Sequence, residues 1–181
     1  MTRRLHIGGE EHKDGWELLS VQPGPYVDYL GDASQLLFQN NTFDVIYASH
    51  ILEHVKAEPV AVLKEWARVL KPSGELQVSV PDMNYLCQLF LTTTNLQDRI
   101  KVMQIIYGGQ VDEFDYHVIG YDEDMIRNVL VSAGFKHIHR TISFGLFDDC
   151  SDLKINGKPV SINLTAQKEL KDRVIPLETA L

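Results

Sequence analysis

The chain has 181 residues, enough for one domain with a sizeable core, and its 44% hydrophobic and 23% charged content is ordinary for a globular fold. Its 17 Lys and Arg against 25 Asp and Glu leave a formal net charge of −8, which argues against a nucleic-acid partner, because phosphate binding draws on surplus Lys and Arg. No apolar run reaches membrane-spanning length and none of signal-peptide type opens the chain. Cys87 and Cys150 are too few and too far apart for a disulfide framework or a zinc knuckle. A cytoplasmic protein with reduced thiols and no membrane partner is therefore expected.

Taken in chain order, Leu5-His6-Ile7 is a short apolar strand that enters a glycine turn at Gly8-Gly9. Trp16–Val21 and Tyr26–Leu30 are two further apolar runs, closed by Pro23-Gly24-Pro25 and by Gly31-Asp32. Phe43–Ala48 is rich in Val, Ile and Tyr and reads as a fourth strand. The strongest helix follows, with Pro59 near its start and Leu63, Trp66, Ala67 and Leu70 on one face, stopped by Lys71-Pro72-Ser73-Gly74. Leu76, Val78 and Val80 alternate as a strand ending at Pro81-Asp82. Helical patterns between Asn84 and Tyr107 break near Thr92-Thr93-Thr94, and an aperiodic polar stretch runs from Gln110 to Gly120. Asp122 is placed to cap a helix whose apolar stripe ends before Gly134, and His137–Ser143 and Ser161–Gln167 read as the last strands.

Strands alternating with helices predict a Rossmann-like, doubly wound α/β sheet, mostly parallel, with an antiparallel hairpin at its C-terminal edge. Residues 1–170 form the expected domain and 171–181 a tail. Ligands of such sheets bind beyond the carboxyl ends of the strands, which nominates loops 8–15, 20–25, 32–34 and 48–54 and the loop after Val80.

LHIGGEEHKDGW, GDASQLLFQNNTFDVIYASHILEHV, LKEWARVLKPSGELQVSVPD, DYHVIGYDEDMIRNVLVSAGF and FGLFDDCSDLKINGKPVSINLTAQK together resemble the class I S-adenosylmethionine-dependent methyltransferases. The likeness is to the small branch associated with bacterial surface-glycan synthesis, and it covers nearly the whole chain. It implies S-adenosylmethionine as cofactor. Gly8 and Gly9 would then let the backbone approach the cofactor's methionine and ribose, and Glu10 stands where the family usually has a further glycine. Ser20 stands in place of the acid that accepts from both ribose hydroxyls, a change from a charged to a neutral hydrogen bond that should weaken binding. Asp32 matches the adenine contact, with Ala33 and Ser34 supplying backbone groups, and Ala48, Ser49 and His50 would line the methionine end. The loop after Gly8 and the segment after Asp32 are too short for full crossover helices, so the fold is expected in trimmed form.

Each feature has a plainer alternative. The glycine turn and Asp32 are also what any strand-ending turn uses, and the Trp66 stripe is core. His50, Glu53 and His54 share one helical face, but no other segment offers a further ligand at fixed spacing, so no metal is expected. His54 is taken to pack beneath the cofactor. In the aperiodic stretch, His117 beside Asp115 and Tyr116 is the candidate base for an acceptor hydroxyl, and His54 and His117 are the candidate catalytic residues. Asp148 and Asp149 are placed either to bond a polyol or simply to solvate a loop. The expected activity is O-methylation of a sugar or other polar small molecule. The alternative is a catalytically weak or inactive methyltransferase-fold binding or scaffold protein, motivated by Glu10, Ser20 and the shortened crossovers. A nicotinamide oxidoreductase ranks below both, because Gly8-Gly9-Glu10-Glu11 is not GxGxxG.

Overall fold

The computed structural model describes residues 2–169; the expected tail at 171–181 lies outside them. Seven strands form one sheet in the order β3-β2-β1-β4-β5-β9-β6: β1 Arg4–Ile7, β2 Glu17–Ser20, β3 Tyr29–Leu30, β4 Phe43–Ser49, β5 Leu70–Pro81, β6 Phe135–Thr141 and β9 Ser161–Lys168. Strands β1 to β5 pair in parallel, while β9 runs antiparallel to both β5 and β6. This is the expected mostly parallel sheet with an antiparallel C-terminal edge. The order reverses at β1 and β4, so the crevice at their carboxyl ends is the natural ligand position.

Helices α1 Pro59–Val69 and α4 Glu123–Ser132 pack on one face of the sheet. Glu58 caps α1 through both carboxylate oxygens, to the amides of Val60 and Ala61, and Asp122 caps α4 through the amide of Met125. Leu5, Ile7, Ile46, Ala48, Leu76, Val78, Ile162 and Leu164 point to that face and build one core with Leu63 and Trp66. Helices α2 Met83–Thr92 and α3 Leu96–Tyr107 form a separate small cluster through Leu86, Leu89 and Val102 with Val160.

Three elements differ from the sequence reading. β3 is only two residues long. β6 starts at Phe135 rather than His137. β5 starts at Leu70, directly after α1, because a register shift between Phe43 and Val45 absorbs the residues around Gly74 instead of turning them out of the sheet.

Among the described residues no helix joins β1 to β2, β2 to β3 or β3 to β4. The sheet face that crossover helices would cover carries His6, Leu18 and Tyr47 in register. The loop after β6 covers it instead: Phe147 stacks on His6 with centroids 4.1 Å apart and lies 5.1 Å from Tyr47 and 5.3 Å from Trp16. Lys13 Nζ donates to the Leu146 carbonyl at 2.8 Å and Tyr47 Oη to Asp149 at 2.7 Å, which pins the loop down. The remainder of that loop holds the two-stranded hairpin β7 Lys154–Ile155 and β8 Lys158–Pro159.

Candidate functional site

The turn after β1 needs glycine at both of its first two positions. Gly8 has φ +77°, is exposed, and donates its amide to the Leu19 carbonyl at 2.7 Å. A Cβ there would be strained and would also meet the Ile51 side chain at 1.9 Å. Gly9 answers to packing: its Cβ would lie 2.0 Å from the His6 imidazole. Glu10 is exposed and points no charge into the core.

At the end of β2, Ser20 Oγ accepts from the Gln22 amide at 3.2 Å, and the Ser20 carbonyl accepts from the Gly31 amide at 3.0 Å. This ties β2 to the turn after β3. Asp32 folds that turn by accepting from the Ser34 amide at 2.7 Å, and its side chain remains exposed. Ala33 accepts the Trp66 indole N–H at 2.8 Å, so the buried face of α1 holds the turn in place. Gln22 also reaches across to Asp112 at 2.9 Å, which brings segment 108–118 over the mouth of these loops. Sequence spacing gave no sign of that contact.

Near the end of β4, Ala48 is wholly buried with its methyl in the core, so it lines no open surface of the crevice. Ser49 Oγ donates to Asp149 at 3.0 Å. Asp149 therefore anchors the loop over the sheet by accepting from Ser49 and Tyr47 and from the Ser151 amide. His50 adopts the left-handed conformation, φ +53°, and its Nε2 meets Ser161 Oγ at 2.7 Å.

The structure brings His50, Glu53, His54 and His117 together. Glu53 is completely buried and neither carboxylate oxygen has a hydrogen-bond partner. His50 Nδ1 lies 3.5 Å and His117 Nε2 3.9 Å from Glu53 Oε1, and the His54 and His117 rings meet edge to face with centroids 4.4 Å apart. Burial pushes the Glu53 carboxyl up to about 8, and burial together with its histidine neighbours pushes His50 down to about 3 and His117 to about 4. His54 is lowered for the same first reason, burial, although the Asp115 charge and the carbonyls of Phe114 and Tyr116 oppose it. His117, with its side chain 8% exposed, is thus turned inward beside His54 and Glu53. The 62 residues between His54 and His117 hid this meeting from any spacing argument.

Beside the cluster lies an open, mostly apolar groove of about 490 Å³ between α2 and α3, bordered by Phe90, Ile100, Met103, Tyr107 and Gly108. Gly108 forms the wall shared with the cluster, since a Cβ there would sit 3.2 Å from His117 Cδ2.

Residues 13–78 match the family described as "Methyltransferase domain". The chain is 33% identical over 125 residues to a ubiquinone/menaquinone biosynthesis C-methyltransferase, UbiE, of Ruegeria sp., a match that takes in 64% of this chain and 48% of that protein. The chain thus spans about half the length of this curated relative. Among solved structures it resembles a SAM-dependent methyltransferase from Methanosarcina mazei, with a TM-score of 0.57 at 17% identity over 93% of each chain. Another from Thermotoga maritima has a TM-score of 0.56 at 16% identity over 93% of this chain and 83% of that one. Such a domain on such a fold implies S-adenosylmethionine as cofactor. The residues fit it: Gly8 offers an exposed left-handed turn, and Asp32 stands exposed at the carboxyl edge of the sheet next to Ser20. Ile51 and Ser20 narrow the fit, Ile51 by filling the space above Gly8 and Ser20 by lacking a charge. The fold is that of the class I methyltransferases, and residues 13–78 carry the likeness to a methyltransferase domain.

Proposed function

We propose that the chain transfers a methyl group from S-adenosylmethionine to a small acceptor that carries an apolar ring, at a ring carbon already activated by its own substituents. The observation that carries the methyl-transfer part is the domain match at 13–78, which takes in the loops after β2 and β3 where Ser20, Asp32 and Ala33 stand and begins just after Gly8, Gly9 and Glu10 in the turn after β1. Ser49 and His50 border the same crevice from β4. The cofactor supplies an electrophilic sulfonium methyl. The chain's part is to hold it in line with the acceptor, and positioning of that kind accounts for much of the barrier lowering in such reactions.

The choice of acceptor turns on the base expected at His117. Taking a proton from a sugar hydroxyl favours a group whose pKa lies near working pH, whereas His117 is held at about 4 and faces Glu53. No surface-glycan protein stands among the relatives described above; the curated one is named for C-methylation of a quinone precursor. The apolar groove against Gly108 and Tyr107 suits a ring better than a polyol.

Calorimetry with S-adenosylhomocysteine tests the cofactor step, with an expected dissociation constant of tens to hundreds of micromolar, roughly −6 to −5 kcal/mol. Tritiated methyl label should then pass to a short-chain demethylated quinol and not to a methyl glycoside. The reverse partition would restore the sugar acceptor. A second reading, a catalytically weak or inactive binding protein, is favoured by one observation, the Ile51 side chain lying over Gly8. Absence of cofactor binding at millimolar concentration would establish it.

Ser20→Asp is expected to tighten cofactor binding about fivefold, close to 1 kcal/mol, because a carboxylate accepts from both ribose hydroxyls. Comparing the calorimetric affinities of the two proteins checks this. Unchanged affinity would place Ser20 away from the ribose.

A further inference from the structure

We propose that His50, Glu53, His54 and His117 form a binding site for a divalent transition-metal ion of the zinc type. The argument is one of lone pairs. Ser161 Oγ gives its proton to the Cys150 carbonyl at 2.8 Å, so in its 2.7 Å contact with His50 it must accept, and His50 Nε2 must be the donor. A neutral His50 then carries its lone pair on Nδ1, which faces Glu53 Oε1 at 3.5 Å.

The other two imidazoles are oriented alike. His54 has the carbonyls of Phe114 and Tyr116 on one side, while its Nδ1 is buried without a partner. His117 has the carbonyls of Ile105 and Ile106 near its ring, and its Nε2 points toward Glu53 Oε1 at 3.9 Å. An imidazole with carbonyls near its far edge and a free nitrogen on the near side is how metal-ligating histidines are commonly set.

One ligand atom each from Glu53, His54 and His117 thus lies within 4.8 Å of the others, and His50 Nδ1 adds a fourth lone pair beside Glu53 Oε1. The Tyr121 hydroxyl, also buried and without a partner, lies close enough to feel the Glu53 charge. Left alone, the cluster sets lone pair against lone pair around a fully buried carboxyl, an arrangement that costs energy unless a proton or a cation sits inside it. Ligand atoms about 2.0–2.2 Å from a tetrahedral zinc ion lie about 3.3 Å apart. The 3.5 and 3.9 Å separations of His50 and His117 from Glu53 are near that value, and the set of Glu53, His54 and His117, within 4.8 Å of one another, needs to draw in by about an ångström or less on each side. Two or three imidazoles with one carboxylate match the donor set that zinc and related divalent ions favour.

The test is a titration of the purified chain with zinc chloride by calorimetry, and with cobalt chloride by visible absorption, in a buffer that does not chelate. One ion per chain is expected, with cobalt bands of low-symmetry coordination and a thermal midpoint that rises with zinc concentration. Glu53→Gln and His117→Gln should each weaken binding at least tenfold. A variant with the exposed His12, His137 and His139 all changed to Gln should bind as the wild type does. If the cluster variants do not fold, the wild-type stoichiometry and the surface variant still decide. Absence of a saturable site, undiminished binding in a folded Glu53→Gln or His117→Gln protein, or loss of binding in the surface variant would each overturn the proposal.

Discussion

Replacing Trp66 with alanine is expected to destabilise the protein by about 4 kcal/mol, the middle of the range for emptying a large aromatic site. Trp66 is fully buried on α1, within the core that the helix shares with β1, β4 and β5. Truncation would leave a cavity that the flanking sheet cannot collapse to fill, because its strands are held in register by β1, β4 and β5 pairing. A loss of that size is a large share of the 5–15 kcal/mol typical of a domain. The indole also has a second task, since its N–H donates to the Ala33 carbonyl and so fixes the turn that carries Asp32. Trp66→Phe separates the two roles. It keeps most of the ring, leaves the Ala33 carbonyl without its donor, and should cost about 1–3 kcal/mol. If turn 32–34 contacts the cofactor, S-adenosylhomocysteine affinity should fall in this milder variant even at temperatures where it is fully folded. Urea unfolding and calorimetry give the two numbers. A Trp66→Ala loss under 1 kcal/mol would mean that the core rearranges freely around α1.

The core side of the molecule was legible because local signals agreed with one another. Asp122, Gly134, Pro59 and the Trp66 stripe each named a boundary or a face, and α1 and α4 appear where those residues place them. The trimmed crossovers were legible from loop length alone. What replaces the missing helices was not, because Phe147 reaches His6 and Trp16 from more than 130 residues away along the chain, and an aromatic in a polar loop carries no periodicity. The same holds for Asp149, whose acidic neighbours suggested a solvated or substrate-facing loop and whose actual partners are Tyr47 and Ser49. Gly8 and Gly9 do stand in the turn after β1, and the space they leave is taken within the protein, that at Gly9 by the His6 ring and that at Gly8 by Ile51. His54 and His117 were singled out separately, one from the HxxEH spacing and one from an aperiodic loop. Only the fold puts them against a single buried carboxylate.

His6 should make the fold acid-sensitive. Its imidazole is 3% exposed among Trp16, Tyr47 and Phe147, and its Nδ1 has no hydrogen-bond partner. Burial holds its pKa down at about 4, against an ordinary value of 6.5; the charges of Asp149 and Glu11 work the other way and do not overcome burial. The sign follows from which state takes the proton first. Between pH 6.5 and pH 4 the unfolded chain binds a proton at His6 and the folded chain does not, so stability is fully present above that window and falls as pH falls through it. Below pH 4 both states are protonated and the loss is complete, at about 3 kcal/mol for a shift of this size. By pH 5 about 2 kcal/mol of it should already be gone. The other buried histidines and Glu53 titrate alike in a variant altered only at position 6, so a comparison isolates this one group. His6→Met removes the titration and supplies a flexible apolar side chain suited to an aromatic pocket. Urea unfolding at pH 7 and pH 5 should show the wild type losing about 2 kcal/mol more than His6→Met. Equal losses in the two proteins would show that the His6 ring is hydrated or protonated within the folded sheet, and that the loop carrying Phe147 does not seal the face left open by the absent crossover helices.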